Sequence, residues 1–251
     1  MNLEFFSGGP ALVIENEERV LIIADLHFGI EADLAAHGLH FRSRSEARLE
    51  RALQVIEKAD PDRLVLLGDI KHSIPSLTWQ EYHELPKILG ALRGMVPLVV
   101  FPGNHDIGIE RFLDDGEIRP REGAVLDGVG YLHGHMYPAP ELAGRLLVIG
   151  HHHPLISLKD EVGCALQAPA YIRAEVDAAR LGYAEPKAGE TPARVLFVPA
   201  FNEIAGYDIS RIVNDPFSPI SRCMKKESSE IILADGTYIG PLRVIESNES
   251  D

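Results

Sequence analysis

Side chains able to bind metal ions or transfer protons follow five apolar runs of this sequence. These residues are Asp25, His27, Asp69, Asn104, His105, Asp106, His133, His151 and His153. Carboxylate, imidazole and carboxamide groups without a thiolate suit borderline divalent cations, not a soft-metal site. The pattern therefore predicts a metal-dependent site assembled from the ends of strands.

Each of these features also has a purely structural interpretation. Asp25 and Asp69 are typical helix N-caps, and the "GNHD" tetrad at 103–106 is typical of a tight turn. His133 alone fits a buried, hydrogen-bonded ring, and the histidines at 151–153 fit a turn with exposed rings. Caps and turns do not explain why five strand ends all carry such side chains, so we favour a functional site.

Composition indicates an ordinary globular protein. The chain has 251 residues, of which 45% are hydrophobic and 25% charged. A formal charge of −14 argues against an indiscriminate nucleic-acid binder, although it leaves room for a local basic groove. Two isolated cysteines, no signal-peptide pattern and no apolar stretch near the roughly 20 residues of a membrane span favour a soluble protein of the reducing cytoplasm.

Strand and helix patterns alternate in the first half of the chain. The sequence predicts strands at Ala11–Ile14 and Val20–Ala24, and a helix after a capping box formed by Ser43 and Glu46. A buried strand at 63–69, a helix whose start is set by Pro86 and a strand before "GNHD" follow. This alternation predicts parallel strands with helical crossovers and ligands at the strand C-termini.

The second half is predicted to be mostly β. It contains a short hairpin at 123–135, strands before 151 and at 194–201, and a hairpin that turns at Asp235 and Gly236. Residues 183–194 and 214–229 are predicted loops. We expect a single domain over residues 1–245 and a disordered tail over 246–251.

The ordered motifs D-x-H, G-D, G-N-H-D, H and G-H-x-H within residues 20–154 resemble the calcineurin-like metallophosphoesterases. "GDIKHSIP" and "LHGH" resemble the SbcD-related phosphoesterases of archaea and the small bacterial phosphoesterases associated with DNA ligase. The resemblance implies an α/β four-layer sandwich, in which two mixed β-sheets are flanked by helices. We do not carry over the activity of the SbcD nucleases, because their DNA-capping region has no counterpart here.

The resemblance also implies how the ligands divide between two divalent ions. Asp69 is expected to bridge them, as two neighbouring cations require a shared anion. The residues that complete the first site are Asp25, His27 and His153, and those that complete the second are Asn104, His133 and His151. Manganese is the expected metal, with iron, zinc and nickel as alternatives. His151 and His153 need a turned backbone to reach neighbouring ions, and Gly150 permits a close approach. His152 is expected to face solvent or substrate.

The implied reaction is hydrolysis of a phosphodiester, with nucleic acids or nucleotides as the expected substrates. Two cations supply hydroxide from a shared water and hold the phosphoryl oxygens. His105 is the expected general acid, and Asp106 is expected to fix its tautomer. His72 and Arg42 are expected to contact the substrate phosphate, although His72 also fits a plain loop histidine. Arg44, Arg48 and Arg51 share a helical face, which we expect to be solvated.

Two other functions fit the same residues. A phosphomonoesterase or nucleotide phosphatase uses the same metals, so the motifs alone do not separate it from a phosphodiesterase. A non-catalytic scaffold of this fold would also keep the metal ligands, but it has no need of His105.

Overall fold

The computed structural model describes residues 1–39, 42–159, 165–184 and 192–243. The predicted tail at 246–251, the predicted domain end at 245 and part of the predicted loop at 183–194 lie outside these ranges. None of the described helices is long and apolar enough to cross a membrane.

The first sheet has five strands in the order in which they occur in the chain. They are β1 (Asn2–Phe6), β2 (Ala11–Glu15), β3 (Arg19–Ile23), β4 (Arg63–Leu66) and β5 (Leu98–Val100). β1 to β3 form an antiparallel meander, whereas β3, β4 and β5 run parallel. The helices between the parallel strands are α1 (Ile30–Ala36), α2 (Ser45–Ala59) and α3 (Trp79–Arg93). The predicted strand-helix alternation is confirmed.

Two predicted helix starts are wrong. α2 follows Arg44, and the Ser43 hydroxyl contacts the Ser45 hydroxyl and amide instead of capping at Glu46. α3 starts at a capping box in which the Thr78 hydroxyl accepts from the Glu81 amide and the Glu81 carboxylate accepts from the Thr78 amide. Pro86 therefore lies inside α3 and does not set its start.

The second sheet contains nine strands within the described ranges. They are β6 (Ala124–Leu126), β7 (Val129–Leu132), β8 (Leu146–Ile149), β9 (Pro154–Lys159), β10 (Ala165–Glu175), β11 (Arg194–Phe197), β12 (Tyr207–Asp208), β13 (Glu230–Leu233) and β14 (Tyr238–Pro241). β7, β8 and β11 are parallel, and both predicted hairpins, β6–β7 and β13–β14, are confirmed. The predicted loop at 214–229 includes two short 3-10 helices.

Successive side chains along each strand point to opposite faces of the sheet, and this divides the core into layers. Ile22 of β3 faces the second sheet, and its neighbour Ile23 packs on the side of α2 and α3. In the second sheet Val148 faces the first sheet, while Ile149 belongs to a further core that includes Ile209 of α4 (Ile209–Asn214). The predicted sandwich of two mixed sheets with outer helices is confirmed. The loops at the C-terminal ends of β3, β4, β5, β7 and β8 meet at one edge of this sandwich.

Candidate active site

Two groups of buried metal-ligand side chains form where these loops meet. In the first, one donor atom from each of Asp25, His27, Asp69 and His153 lies within 4.8 Å of the others. The Nε2 atom of His153 is 3.2 Å from Asp25 Oδ1 and 3.4 Å from His27 Nε2. Nε2 of His27 is 3.8 Å from Asp69 Oδ2. We call these four residues the first donor set.

The second donor set shares Asp69 with the first. One donor atom from each of Asp69, His133 and His151 lies within 4.8 Å of the others. His133 Nε2 is 3.4 Å from Asp69 Oδ2 and 3.3 Å from Asn104 Oδ1, which places Asn104 at the same set. Each set combines residues from both sheets. The structure thus brings together all seven residues for which the sequence predicts metal binding.

The donor sets fit divalent cations. The Nε2 atoms of His27 and His153 face each other across 3.4 Å, and such a pair needs a proton or a cation between its lone pairs. Burial, reinforced by neighbouring histidines, lowers the pKa of His27 well below its ordinary value, so the ring is neutral and one of its two nitrogens offers a lone pair to a cation. Buried carboxylates and imidazoles at this density are the chemistry of a metal site.

His133 is held in one orientation. Its Nδ1 donates to the carbonyl of Leu67 at 2.8 Å, so Nε2 is the nitrogen that faces Asp69 and Asn104. Burial alone would lower the pKa of His133, but the Asp69 carboxylate outweighs this effect and raises the pKa to about 9. A cation that binds at Nε2 must displace this proton, so metal binding here is coupled to proton release.

Most of the described non-glycine residues with left-handed backbone are predicted metal ligands. Of seven non-glycine residues with positive φ, five are predicted metal ligands: Asp25 (55°), His27 (45°), Asp69 (47°), His151 (69°) and His153 (45°). Such conformations cost of order 1–3 kcal/mol each and cluster at functional sites. The predicted turn of the backbone between His151 and His153 is confirmed, and it directs the two rings to different donor sets.

Three glycines leave room for the ligands. A Cβ atom on Gly68 would lie 2.4 Å from His133 Nδ1, one on Gly103 2.1 Å from Asp69 Oδ1, and one on Gly150 2.7 Å from Asp25 Oδ2. The predicted close approach at Gly150 is confirmed. Backbone therefore packs directly on three of the ligands.

His105 and His72 lie beside the first donor set. Nitrogen atoms of His27, His72 and His105 lie within 4.8 Å of one another, and the rings of His72 and His105 stack with centroids 5.2 Å apart. The backbone amide of His105 donates to Asp69 Oδ1 at 2.9 Å, which ties this residue to the shared carboxylate. Both rings are only half-buried, so they are accessible to a bound substrate.

Asp106 does not fix the tautomer of His105, contrary to the prediction. Its buried carboxylate accepts from the amides of Ile70, Lys71 and Gly103, so it fastens the loops after β4 and β5 together. Burial, together with the charge of Asp69, raises the pKa of Asp106 to about 6. The Nδ1 atom of His105 instead contacts the carbonyl oxygen of His72.

Among the arginines, Arg48 differs from the prediction. Arg42 is exposed, and no contact in the described residues joins it to the donor sets, so its role in phosphate binding stays a prediction. Arg48 was expected to be solvated but is fully buried, because Glu31 (3.1 Å) and Glu203 (3.2 Å) cover that face of α2. Arg44 and Arg51 also pair with Glu203 at the rim of this cluster.

His152 points away from the donor sets, but it faces the interior and not solvent or substrate as expected. The ring is fully buried, with Nδ1 3.0 Å from the Gly150 carbonyl and Nε2 2.8 Å from the Ser218 hydroxyl. The carbonyl can only accept, so Nδ1–H donates to it and Nε2 accepts from Ser218. Burial lowers the pKa of His152 to about 3.

We expect the buried ring of His152 to make the fold sensitive to acid. Its pKa is depressed in the folded state, so below about pH 6.5 the unfolded chain binds a proton that the folded chain does not. Stability is therefore lost as the pH falls from about 6.5 towards about 3, by roughly 2 kcal/mol between pH 7 and pH 5. Urea unfolding with a chelator present should show a shallower pH slope for His152→Gln than for wild type. The exposed His37→Asn is the control, and an unchanged slope in His152→Gln would contradict the assignment.

Sequence reasoning missed two residues at the site. Asn202, which follows β11 in "PAFNE", donates from Nδ2 to the carbonyl of Leu26 at 3.0 Å and so holds the loop that carries Asp25 and His27. His135, left without a role, lies with its ring 5.2 Å from that of His133, and its buried Nδ1 has no hydrogen-bond partner in the described residues. The available signals were an asparagine directly after the apolar run at 194–201 and the spacing of "HGH".

Comparison with known proteins identifies the class. The family model of the calcineurin-like phosphoesterases matches residues 18–167, more than half of the chain, and this span contains both donor sets. The chain therefore belongs to the calcineurin-like phosphoesterase family, whose members are phosphoric ester hydrolases. The finer resemblance to the SbcD-related phosphoesterases stays a prediction.

Individual relatives are similar over different extents. Serine/threonine-protein phosphatase CPPED1 of Homo sapiens is 41% identical over 68 residues, which are 25% of this chain and 22% of that protein. This chain thus covers about a fifth of the curated relatives that it matches. The crystal structure of Pseudomonas putida nuclease MPE covers 95% of this chain and 100% of its own, with a TM-score of 0.55 and 20% identity, and shows the same fold. Yfce, a phosphoesterase from E. coli, gives a TM-score of 0.36 at 19% identity over 56% of this chain and 73% of its own.

Proposed function

We propose that this protein is a phosphodiesterase that acts on nucleic acids or nucleotides, with two divalent cations in the donor sets that share Asp69. Manganese is the proposed metal, and His105 is the proposed general acid. The observation that carries the proposal is the position of His105, whose half-buried ring lies beside the first donor set while its amide binds Asp69 at 2.9 Å.

The chain first provides the residues that would hold the cations. When bound, the cations supply activation of water and neutralise charge on the phosphoryl group. The residues proposed to hold them are Asp25, His27, Asp69 and His153 on one side, and Asn104, His133, His151 and the shared Asp69 on the other. The side chains of Asp106 and Asn202 hold the supporting loops in place through hydrogen bonds to backbone groups.

Proton transfer falls to His105. The carbonyl oxygen of His72 can only accept a hydrogen bond, so the Nδ1 atom of His105 carries a hydrogen. Nε2 is then the nitrogen that exchanges a proton with the substrate, and in the protonated ring it donates to the departing oxygen. His72 packs on His105 with nearly parallel rings, and we propose that it orients the acid and contacts the substrate.

Accessible acid-base residues favour an enzyme over a scaffold. A scaffold needs its metal ligands but gains nothing from a half-buried His105 and His72 beside them. The Pseudomonas putida protein of the same fold is a nuclease, which supports a nucleic-acid substrate. CPPED1, which is similar over a much shorter stretch, is a protein phosphatase and favours the phosphatase alternative.

A paired assay tests the proposed function. We expect the manganese-loaded protein to hydrolyse bis-p-nitrophenyl phosphate with a higher kcat/KM than p-nitrophenyl phosphate. Asp69→Asn, which weakens the ligand that both sets share, is expected to lose metal and activity together, as followed by elemental analysis. A preference for the monoester would favour the phosphatase alternative, and hydrolysis of neither ester would favour the scaffold.

A further inference from the structure

An aromatic groove of about 420 Å³ opens between the loop after His72 and the loop after His105. Its walls include Pro75, Trp79, Tyr82, Ile107 and Arg111, and none of the seven predicted metal ligands lines it. The volume is within the range of small-ligand pockets. The groove is therefore separate from the donor sets but is built on the same two loops.

The groove exposes side chains that proteins usually bury. Trp79 is 78% exposed and Tyr82 is 54% exposed, although each would gain free energy by burial. The Trp79 ring is held in place by His83. The two ring centroids are 4.2 Å apart, and His83 Nδ1 lies 2.8 Å from the Trp79 carbonyl oxygen. An exposed indole that is held in place by its neighbours can stack with a planar ring of a ligand.

The groove starts next to the proposed general acid. Ile107 is two residues beyond His105, so their Cα atoms are at most about 7.6 Å apart. The two loops are fixed to each other, since His105 Nδ1 contacts the His72 carbonyl and Asp106 accepts from the Ile70 and Lys71 amides. The groove therefore lies within about one nucleotide's length of the point at which a leaving group would pass His105.

We propose that this groove binds an unpaired nucleobase of the leaving nucleotide, with Trp79 and Tyr82 as the stacking surface and Arg111 at the rim. The inference rests on the proposed function and narrows its substrate to single-stranded nucleic acid, because a base inside a duplex is out of reach of such a surface. Arg111 adds a guanidinium suited to a base face or a phosphate.

Charge supports stacking as the source of affinity. The formal charge of −14 leaves little general attraction for a polyanion, so a nucleic-acid substrate must be held mainly by the cations and by its bases. Stacking on aromatic rings is tolerant of sequence, because every base has a π-face. A phosphopeptide offers no such flat group at a regular distance from its phosphate.

Trp79 is the only tryptophan of the chain, so its fluorescence reports this groove alone. We expect oligothymidylate to quench it saturably in manganese-loaded His105→Ala, in which turnover is slow. An oligomer of the same length with abasic sites keeps the phosphates and should not quench. Equal quenching by both oligomers, no quenching by either, or tighter quenching by a phosphothreonine peptide would overturn the proposal.

Kinetics of Trp79→Ala provide the second test. We expect kcat/KM on oligothymidylate to fall roughly 5- to 100-fold, since stacking of one base contributes about that factor, with no change on the abasic oligomer. Trp79→Phe should retain most of the activity. Tyr238→Ala removes another exposed aromatic ring, which lies on the β13–β14 hairpin outside the groove, and is the matched control.

The outcomes separate this inference from the function on which it rests. If wild type hydrolyses diesters and Trp79→Ala is slowed equally on both oligomers, the groove does not bind the base, although the phosphodiesterase assignment stands. If wild type hydrolyses no diester but oligothymidylate alone quenches Trp79, the base-binding groove stands and the phosphodiesterase assignment is wrong.

Discussion

His105→Ala is expected to lose about 10²- to 10⁴-fold in turnover on a dinucleotide while it keeps its metals. The alkoxide that leaves a nucleotide is a poor leaving group and needs the proton that we assign to His105 Nε2. A nitrophenolate leaves with little help, so the same variant is expected to be nearly unimpaired on bis-p-nitrophenyl phosphate. Parallel rate measurements on the two diesters, with elemental analysis of the protein used, check the contrast.

The exposed His37→Ala provides the matched control, because it removes a histidine ring without touching either donor set. Equal slowing of His105→Ala on both diesters would show that His105 is not the general acid, although the enzyme assignment would survive. Loss of metal from His105→Ala would also count against the assignment, since the contact of this residue with Asp69 is made by its backbone.

Gly103→Ala is expected to damage both donor sets by adding a single methyl group. The new Cβ would lie 2.1 Å from Asp69 Oδ1 and 2.5 Å from the Asp69 amide, so the shared carboxylate or the loop must move. Overpacking of this kind costs about 1–3 kcal/mol in the free energy of unfolding. Because the displaced carboxylate belongs to Asp69, which both sets share, we expect metal content and activity to fall together.

Gly90→Ala is the comparison that isolates the clash. Gly90 lies inside α3, and a Cβ there would meet nothing within 4 Å. Alanine in place of glycine inside a helix stabilises by roughly 0.5–1 kcal/mol, so urea unfolding should move in opposite directions for the two variants. A Gly103→Ala protein with wild-type metal content and unfolding midpoint would contradict the packing that we describe.

The sequence predicted that these side chains lie close together because its signals were local. Each predicted ligand directly follows an apolar strand, and parallel strands deliver their C-terminal ends to one edge. The left-handed backbone at Asp25 and Asp69 was not predicted from these signals, because the surrounding structure imposes that conformation.

Three of the errors concern side chains whose partners are distant in the chain. Arg48 is buried by Glu203, 155 positions away, and His152 by Ser218, 66 positions away. The carboxylate of Asp106 bonds to the amides of Ile70 and Lys71, on a neighbouring loop. Helical periodicity and residue type describe a residue but not its distant partner. The sequence therefore favoured solvent as the surroundings of Arg48, solvent or substrate as those of His152, and the adjacent His105 as the partner of Asp106.

Each donor set takes residues from both sheets, and this has a consequence for how the molecule comes apart. Asp25, His27 and Asp69 belong to loops of the first sheet, and His133, His151 and His153 to loops of the second. A cation bound in either set would therefore act as a reversible cross-link between the halves of the sandwich. The sheets would then not separate at this edge without releasing it, so we expect metal loading to slow the opening of both halves together and to join them into one cooperative unit.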